Sequence, residues 1–219
     1  MPPGRELRIL EFLNASIAAQ TFLTYPCQEV SAILASYFKT GGCVFRKLED
    51  FKKAWAWEAE STLKVLEAIP DSALGTSVAE GHRDLRRLAW HLVDSLVEMP
   101  GRFGIAISGH PFMTEGSADP FAAYEMPEST AAVREAYAAC SASLLKGLEA
   151  WNDDTLEQED DMYGERWKRG FSLGCLVGHQ THHRGQMTVL LRQAGLKVPD
   201  IYGPAKEGWA AFGMEAPKI

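Results

Sequence analysis

The 219-residue chain lacks most of the features by which a sequence announces a macromolecular partner. Lysine and arginine total 22 against 29 aspartates and glutamates, a formal charge of −7, and no basic stripe runs along it. A surface for nucleic acid or for an anionic membrane needs clustered cations, so both are excluded as partners. No apolar run approaches the ~20 residues of a membrane span. Arg5 and Arg8 precede Ile9-Leu10, yet Glu11 and Asn14 break any signal-peptide core. Cysteine is scarce: Cys27, Cys43, Cys140 and Cys175 contain no close pairing. In a chain of this length they read as reduced thiols, and the protein as cytoplasmic. Internal repeats are missing, and so are the apolar strands between helices that a doubly wound α/β fold requires.

What is present is helical. Residues 1 to about 43 stand apart as an extension, helical or poorly ordered. Ile9, Phe12, Leu13 and Ile17 suggest one short amphipathic helix, and Val30, Ile33, Leu34, Tyr37 and Phe38 a second, ending at Gly41-Gly42. The same stretch has a second reading. In a bacterial gene the codons of Thr40-Gly41-Gly42 can spell a ribosome-binding sequence, and Val44 can be a GTG start. The expectation is then a mis-called start, and mass spectrometry of natively expressed protein tests it.

From Leu48 the periodicity is strong. Leu48, Phe51, Trp55, Thr62, Leu66 and Ile69 recur at three- and four-residue steps up to Pro70, predicting a first helix. After a loop over 72–81, Asp84 caps or opens a second helix, with Leu85, Leu88, Ala89, Leu92, Val93 and Leu96 as its apolar arc and a stop near Pro100. Residues 102–127 are rich in Gly and Pro. So long a connection suits a crossover or a lid, with Phe103, Phe112 and Tyr124 as candidates to shape a pocket. A third helix starts at Glu128-Ser129-Thr130 and carries Val133, Tyr137, Cys140, Leu144, Leu148 and Trp151 as its stripe. The acidic run from Asp153 to Asp161 reads as a solvated loop. Residues 163–170 form a turn or short hairpin into a fourth helix over 171–194, which Gly195 stops. A tail leads to a short final helix around Trp209 and Phe212. The sum is an all-α four-helix bundle with a long crossover connection, spanning 44–219.

Chemistry concentrates in the fourth helix, at Gly178-His179-Gln180-Thr181-His182-His183-Arg184-Gly185-Gln186. Residues i and i+4 share a helix face, so His179 and His183 stand together and point the way of the core residues Leu176, Met187 and Leu190. Two buried neutral imidazoles at this spacing can share a metal ion. A catalytic site needs a third protein ligand and an open position. Of the remaining histidines, His91 alone lies well inside a helix, at the edge of the second helix's apolar arc, while His82 and His110 fall in connections. The expected ligands are therefore His91, His179 and His183.

The neighbours are assigned by position. His182 lies about 60° from His179 by the ~100° helical step and is left as a hydrogen-bonding outer residue, a substrate contact or a solvated side chain. Gln186 is nearer the metal face, a poor ligand itself but placed to hydrogen-bond one. Cys175 reads as a small core residue; as a ligand it would close the site. Arg184, about 140° from His179, reads as an inter-helix ion pair. Glu58, Glu60, Asp94 and Glu98 are conceivable proton shuttles that read as solvated or ion-paired. Gly174, Gly178 and Gly185 form a small-residue strip that lets another helix approach closely, either inside the bundle, which is the preferred reading, or across a dimer. No catalytic residue is identified, and position 180 carries Gln where a HExxH zincin has its base.

Leu88-Ala89-Trp90-His91, then Gly178-His179-x3-His183-Arg184-Gly185-Gln186, together with the tail 196–204, resemble the DinB/YfiT-like family over roughly Val44 to Met214. The resemblance implies a four-helix bundle, commonly a homodimer, and zinc or nickel held by the three matching histidines. It also implies a small-molecule substrate, with a low-molecular-weight thiol as co-substrate in an S-transferase or isomerase. Three neutral ligands leave such an ion its full charge, able to lower the pKa of a bound water toward ~7 and of a thiol likewise. Hydrolysis and non-catalytic metal binding in a stress response remain the alternatives.

Overall fold

The computed structural model describes residues 44–113 and 124–218. The two short helices expected before Val44, and the mis-called start, concern residues outside the described ones. Four long helices carry the fold: α1 (Leu48–Glu67), α2 (Leu85–Arg102), α3 (Thr130–Gly147) and α4 (Arg169–Gln193). The packing closes a ring in which α1 lies on α3, α3 on α2, α2 on α4 and α4 on α1. The stripes seen in the sequence form its interior: Phe51, Trp55, Leu66, Leu85, Leu92, Leu96, Tyr137, Leu144, Leu173 and Leu176 are fully buried.

Two of the helices begin at caps from their own sequence. Asp84 caps α2, its Oδ1 accepting from the Arg87 backbone N–H at 2.7 Å. Ser129 caps α3 through the Ala132 N–H, and the Asp71 carboxylate takes the Thr130 N–H at 2.7 Å. The cap of α1 comes from far away: Asp153 Oδ1 accepts from the Leu48 N–H at 2.9 Å, and its other oxygen takes Lys47 at 2.8 Å. This corrects the solvated-loop reading of the acidic run. Asp153–Glu157 is a 3-10 turn, and Asp160 pairs with Arg169 at 2.8 Å at the start of α4.

A small antiparallel hairpin, β1 (Glu159–Met162) and β2 (Glu165–Lys168), sits between α3 and α4, in register Asp160↔Trp167. Tyr163 and Gly164 both have positive φ, 62° and 86°, the signature of a two-residue type I′ turn. The turn brings the Tyr163 hydroxyl to Glu98 Oε2 of α2 at 2.8 Å. Gly195 closes α4 in the left-handed conformation (φ 72°), with the Leu196 N–H reaching back to the Leu191 carbonyl at 2.9 Å. A 3-10 helix, Gly208–Phe212, is the last element, at the place of the expected short final helix. The in-bundle reading of the glycine strip is also corrected. A Cβ at Gly178 or Gly185 would meet nothing within 4 Å, and at Gly174 it would meet Val44, so among the described residues no helix approaches there.

Candidate metal centre

The centre is built on α2 and α4, and two polar clamps set how α4 lies. Gln180 is fully buried and donates from Nε2 to the Leu92 carbonyl (3.0 Å) and to Ser95 Oγ (2.9 Å), both on α2. One turn on, Arg184 reaches the other way to α1, to the Glu58 carboxylate (2.5 Å), the Glu58 carbonyl (3.0 Å) and Thr62 Oγ1 (3.2 Å). The ion pair expected of Arg184 is present, and buried. In the sequence Gln180 stands out only as the residue where a zincin has its base, not as a clamp. Its signal was the spacing: Gln180 and Arg184 are themselves an i,i+4 pair beside His179 and His183.

Held so, α4 turns His179 and His183 onto His91 of α2. The ring centroids stand 4.5 Å apart for His179–His183, 4.6 Å for His91–His183 and 4.9 Å for His91–His179. One nitrogen from each ring falls within 4.8 Å of the others. The three side chains named from the sequence are thus brought together.

The arrangement suits a divalent ion on three counts. His91 Nε2 and His179 Nε2 lie 3.2 Å apart. Two imidazole nitrogens at about 2.0–2.1 Å from one tetrahedral ion stand roughly 3.3 Å apart. Gln186 Oε1 takes His183 Nδ1 at 2.8 Å, which fixes the tautomer that leaves Nε2 as a lone-pair donor. Burial holds the rings neutral, the form that binds metal. It pushes His91 down to about 3 and His179 to about 4, with the neighbouring imidazoles adding to the effect, and lowers His183 despite the Gln186 bond. The Nδ1 atoms of His91 and His179 are buried with no hydrogen-bond partner, so the rings are not held by a polar network of their own.

The remaining histidines lie elsewhere. His182 is exposed and meets the centre through Gln186, whose Nε2 is 3.2 Å from His182 Nε2. His82 is exposed on the loop before α2. His110 is buried on the crossover. Its Nδ1 accepts the N–H groups of Phe112 (3.1 Å) and Met113 (3.0 Å), so its Nε2 donates to Asp94 at 3.0 Å. Cys175 borders a cavity beside His179 but is not among the clustered ligand atoms, and burial pushes its thiol up to about 11.

Each conceivable proton shuttle is paired. Asp94 accepts from Arg87 (3.2 Å), His110 and Tyr124 (2.6 Å); Glu98 from Arg102 and Tyr163; Glu58 from Arg184 and Tyr202. Glu60 pairs with Lys64 at 2.7 Å.

Two cavities open on the three histidines. One, of about 590 Å³, is bordered by His183 and Gln186 and walled by Val78, Leu88, Val189 and Leu190. The other, of about 700 Å³, is bordered by His91, His179, Cys175, Glu98 and Tyr163. Of the loop aromatics expected to shape a pocket, Phe103 is fully buried against Trp151 and shapes none of these cavities. Phe112 and Tyr124 stack at 5.0 Å and border a third cavity, away from the three histidines.

Known proteins agree with this architecture. The model of the DinB family matches residues 44–218. The uncharacterised protein YrdA of Bacillus subtilis (strain 168) is 39% identical over 177 residues, which covers 80% of this chain and all of that protein. A crystal structure of a DinB-like protein from Bacillus cereus ATCC 10987 is 32% identical, with a TM-score of 0.65, and covers 73% of this chain and all of that one. A second DinB-like protein, YjoA of Bacillus subtilis, is 18% identical with a TM-score of 0.54 over 71% of this chain and 99% of its own, and shares the fold.

Proposed function

The chain belongs to the DinB family, and from that premise we propose that it is a metal-dependent enzyme that activates a small thiol for transfer to a small-molecule acceptor. The observation that carries the reading is the convergence of three neutral, half-buried to buried imidazoles between two cavities. His91, His179 and His183 would hold a divalent ion, zinc or nickel, with Gln186 orienting His183 from outside. Bound there, the ion supplies Lewis-acid chemistry at an open position, lowering the pKa of a water or a thiol.

Two further observations choose among reactions. Asp94, Glu98 and Glu58 are engaged by Arg, His and Tyr side chains, which leaves none of them as a general base for an attacking water. Thiols ionise far more readily than water, so a chemistry that asks only for the ion's charge favours a thiol over hydrolysis. Against pure metal storage stands the position of Cys175, outside the cluster, so that the described residues supply three ligands and no fourth.

The test has two stages. Protein purified without a polyhistidine tag carries close to one transition-metal ion per chain; below about 0.2 equivalents in every preparation the proposal fails. Metal-loaded protein then consumes members of a panel of low-molecular-weight thiols in the presence of electrophiles, while metal-free protein does not. Equal consumption by both forms would overturn the thiol reading and leave metal binding alone.

A further inference from the structure

The centre is ringed by arginines, and their pairing is uneven. Arg87 is engaged by Asp94, Arg102 by Glu98 and Arg184 by Glu58. Arg83, on the loop just before α2, has no hydrogen bond or ion pair among the described residues and is exposed. It borders both cavities, and its charge acts on all three histidines. An arginine beside a cluster destined for a divalent cation raises the cost of loading that cluster, and an anion seated between the two offsets that cost.

Resting on the proposed metal centre, we infer that Arg83 is the anion-recognition residue of the site, and that the small molecule served there carries a carboxylate beside an apolar body. The apolar body fits the cavity walled by Val78, Leu88, Val189 and Leu190. A guanidinium fork matches a carboxylate with two parallel hydrogen bonds. The same fork takes a phosphate, but the backbone N–H cradle that commonly strengthens phosphate binding is not offered by the first turn of α2. The Leu85 N–H goes to the Thr76 carbonyl (3.0 Å), the Arg86 N–H to the Leu74 carbonyl (2.9 Å) and the Arg87 N–H to Asp84 (2.7 Å).

Calorimetric titration with 3-phenylpropionate and with 3-phenylpropanol, which share one apolar body, tests this on metal-loaded and metal-free protein. Wild type binds the carboxylate about tenfold or more tighter than the alcohol. Arg83→Ala erases that preference without changing alcohol binding, and Arg83→Lys keeps part of it. Thermal unfolding of both variants matches wild type, because Arg83 holds nothing in the fold. Equal binding of acid and alcohol by wild type, or a preference that survives Arg83→Ala, would overturn the assignment. Inorganic phosphate bound as tightly as the carboxylate, and lost with Arg83, would overturn the choice of anion. Should the protein hold no metal, the proposed centre fails on its own, and the metal-free titration still decides the role of Arg83.

Discussion

His182 and His183 are neighbours in sequence and opposites in environment. His183 is 7% exposed, faces His91 and His179, and has its outer nitrogen held by Gln186; His182 is exposed and touches the centre from outside, through that glutamine and edge-on against the His183 ring at 4.8 Å. His183→Ala is therefore expected to abolish metal binding, and His182→Ala to leave stoichiometry unchanged, both read by elemental analysis after dialysis. Retained metal in the first variant would reassign the ligands. Gln186→Ala frees the His183 ring from its tautomer, so affinity in competition with a chromogenic chelator should fall about 10- to 100-fold while stoichiometry survives.

At the scale of elements, the register of α4 is the quantity on which the centre depends. Gln180 ties it to α2, and the Arg184–Glu58 pair ties it to α1, with Tyr202 from the C-terminal tail donating to the same carboxylate. Glu58→Ala leaves a guanidinium buried without its counter-ion. Removing one partner of such a pair costs about 3–5 kcal/mol, which chemical denaturation reads as a lowered midpoint. A change below about 1 kcal/mol would mean that apolar packing alone sets the register. Asp84→Ala provides the contrast: a lost helix cap worth about 1 kcal/mol, with metal affinity unchanged.

For the molecule as a whole, the buried imidazoles couple stability to pH. An unfolded chain protonates its histidines below about 6.5, whereas His91 and His179 in the folded chain resist protonation down to about 3 and 4. Between those limits the unfolded state binds more protons, so stability rises with pH. Metal-free protein should hold its full stability above pH 6.5 and lose it progressively as pH falls toward 4. Thermal unfolding across that range, repeated on a His91→Leu, His179→Leu variant, checks the attribution. The variant should show a shallower decline, and an identical one would place the pH dependence elsewhere. Among the described residues no helix is long and apolar enough to cross a membrane.

The sequence by itself determined the helices, most of their ends, and the three histidines. Apolar residues at three- and four-residue steps, Asp84 before α2 and Gly195 after α4 are local signals, and local signals suffice for α-helices. His179 and His183 shared a face by spacing alone, and His91 followed as the one other histidine well inside a helix. Tertiary structure decided everything that depends on which chain segments meet. Asp153 caps a helix that begins 105 residues before it, so the acidic run could not be recognised as structural from its own neighbourhood. The glycine strip looked like a helix contact because small residues permit close approach, but only the packing shows whether a helix is there. Phe103 went to the core and Gln180 became a clamp for the same reason: a side chain's role is set by the surface opposite it, and that surface lies far away in the sequence. The same holds for the uneven pairing of the arginines, since only the packing shows that Arg87 has a carboxylate brought to it and Arg83 has none among the described residues.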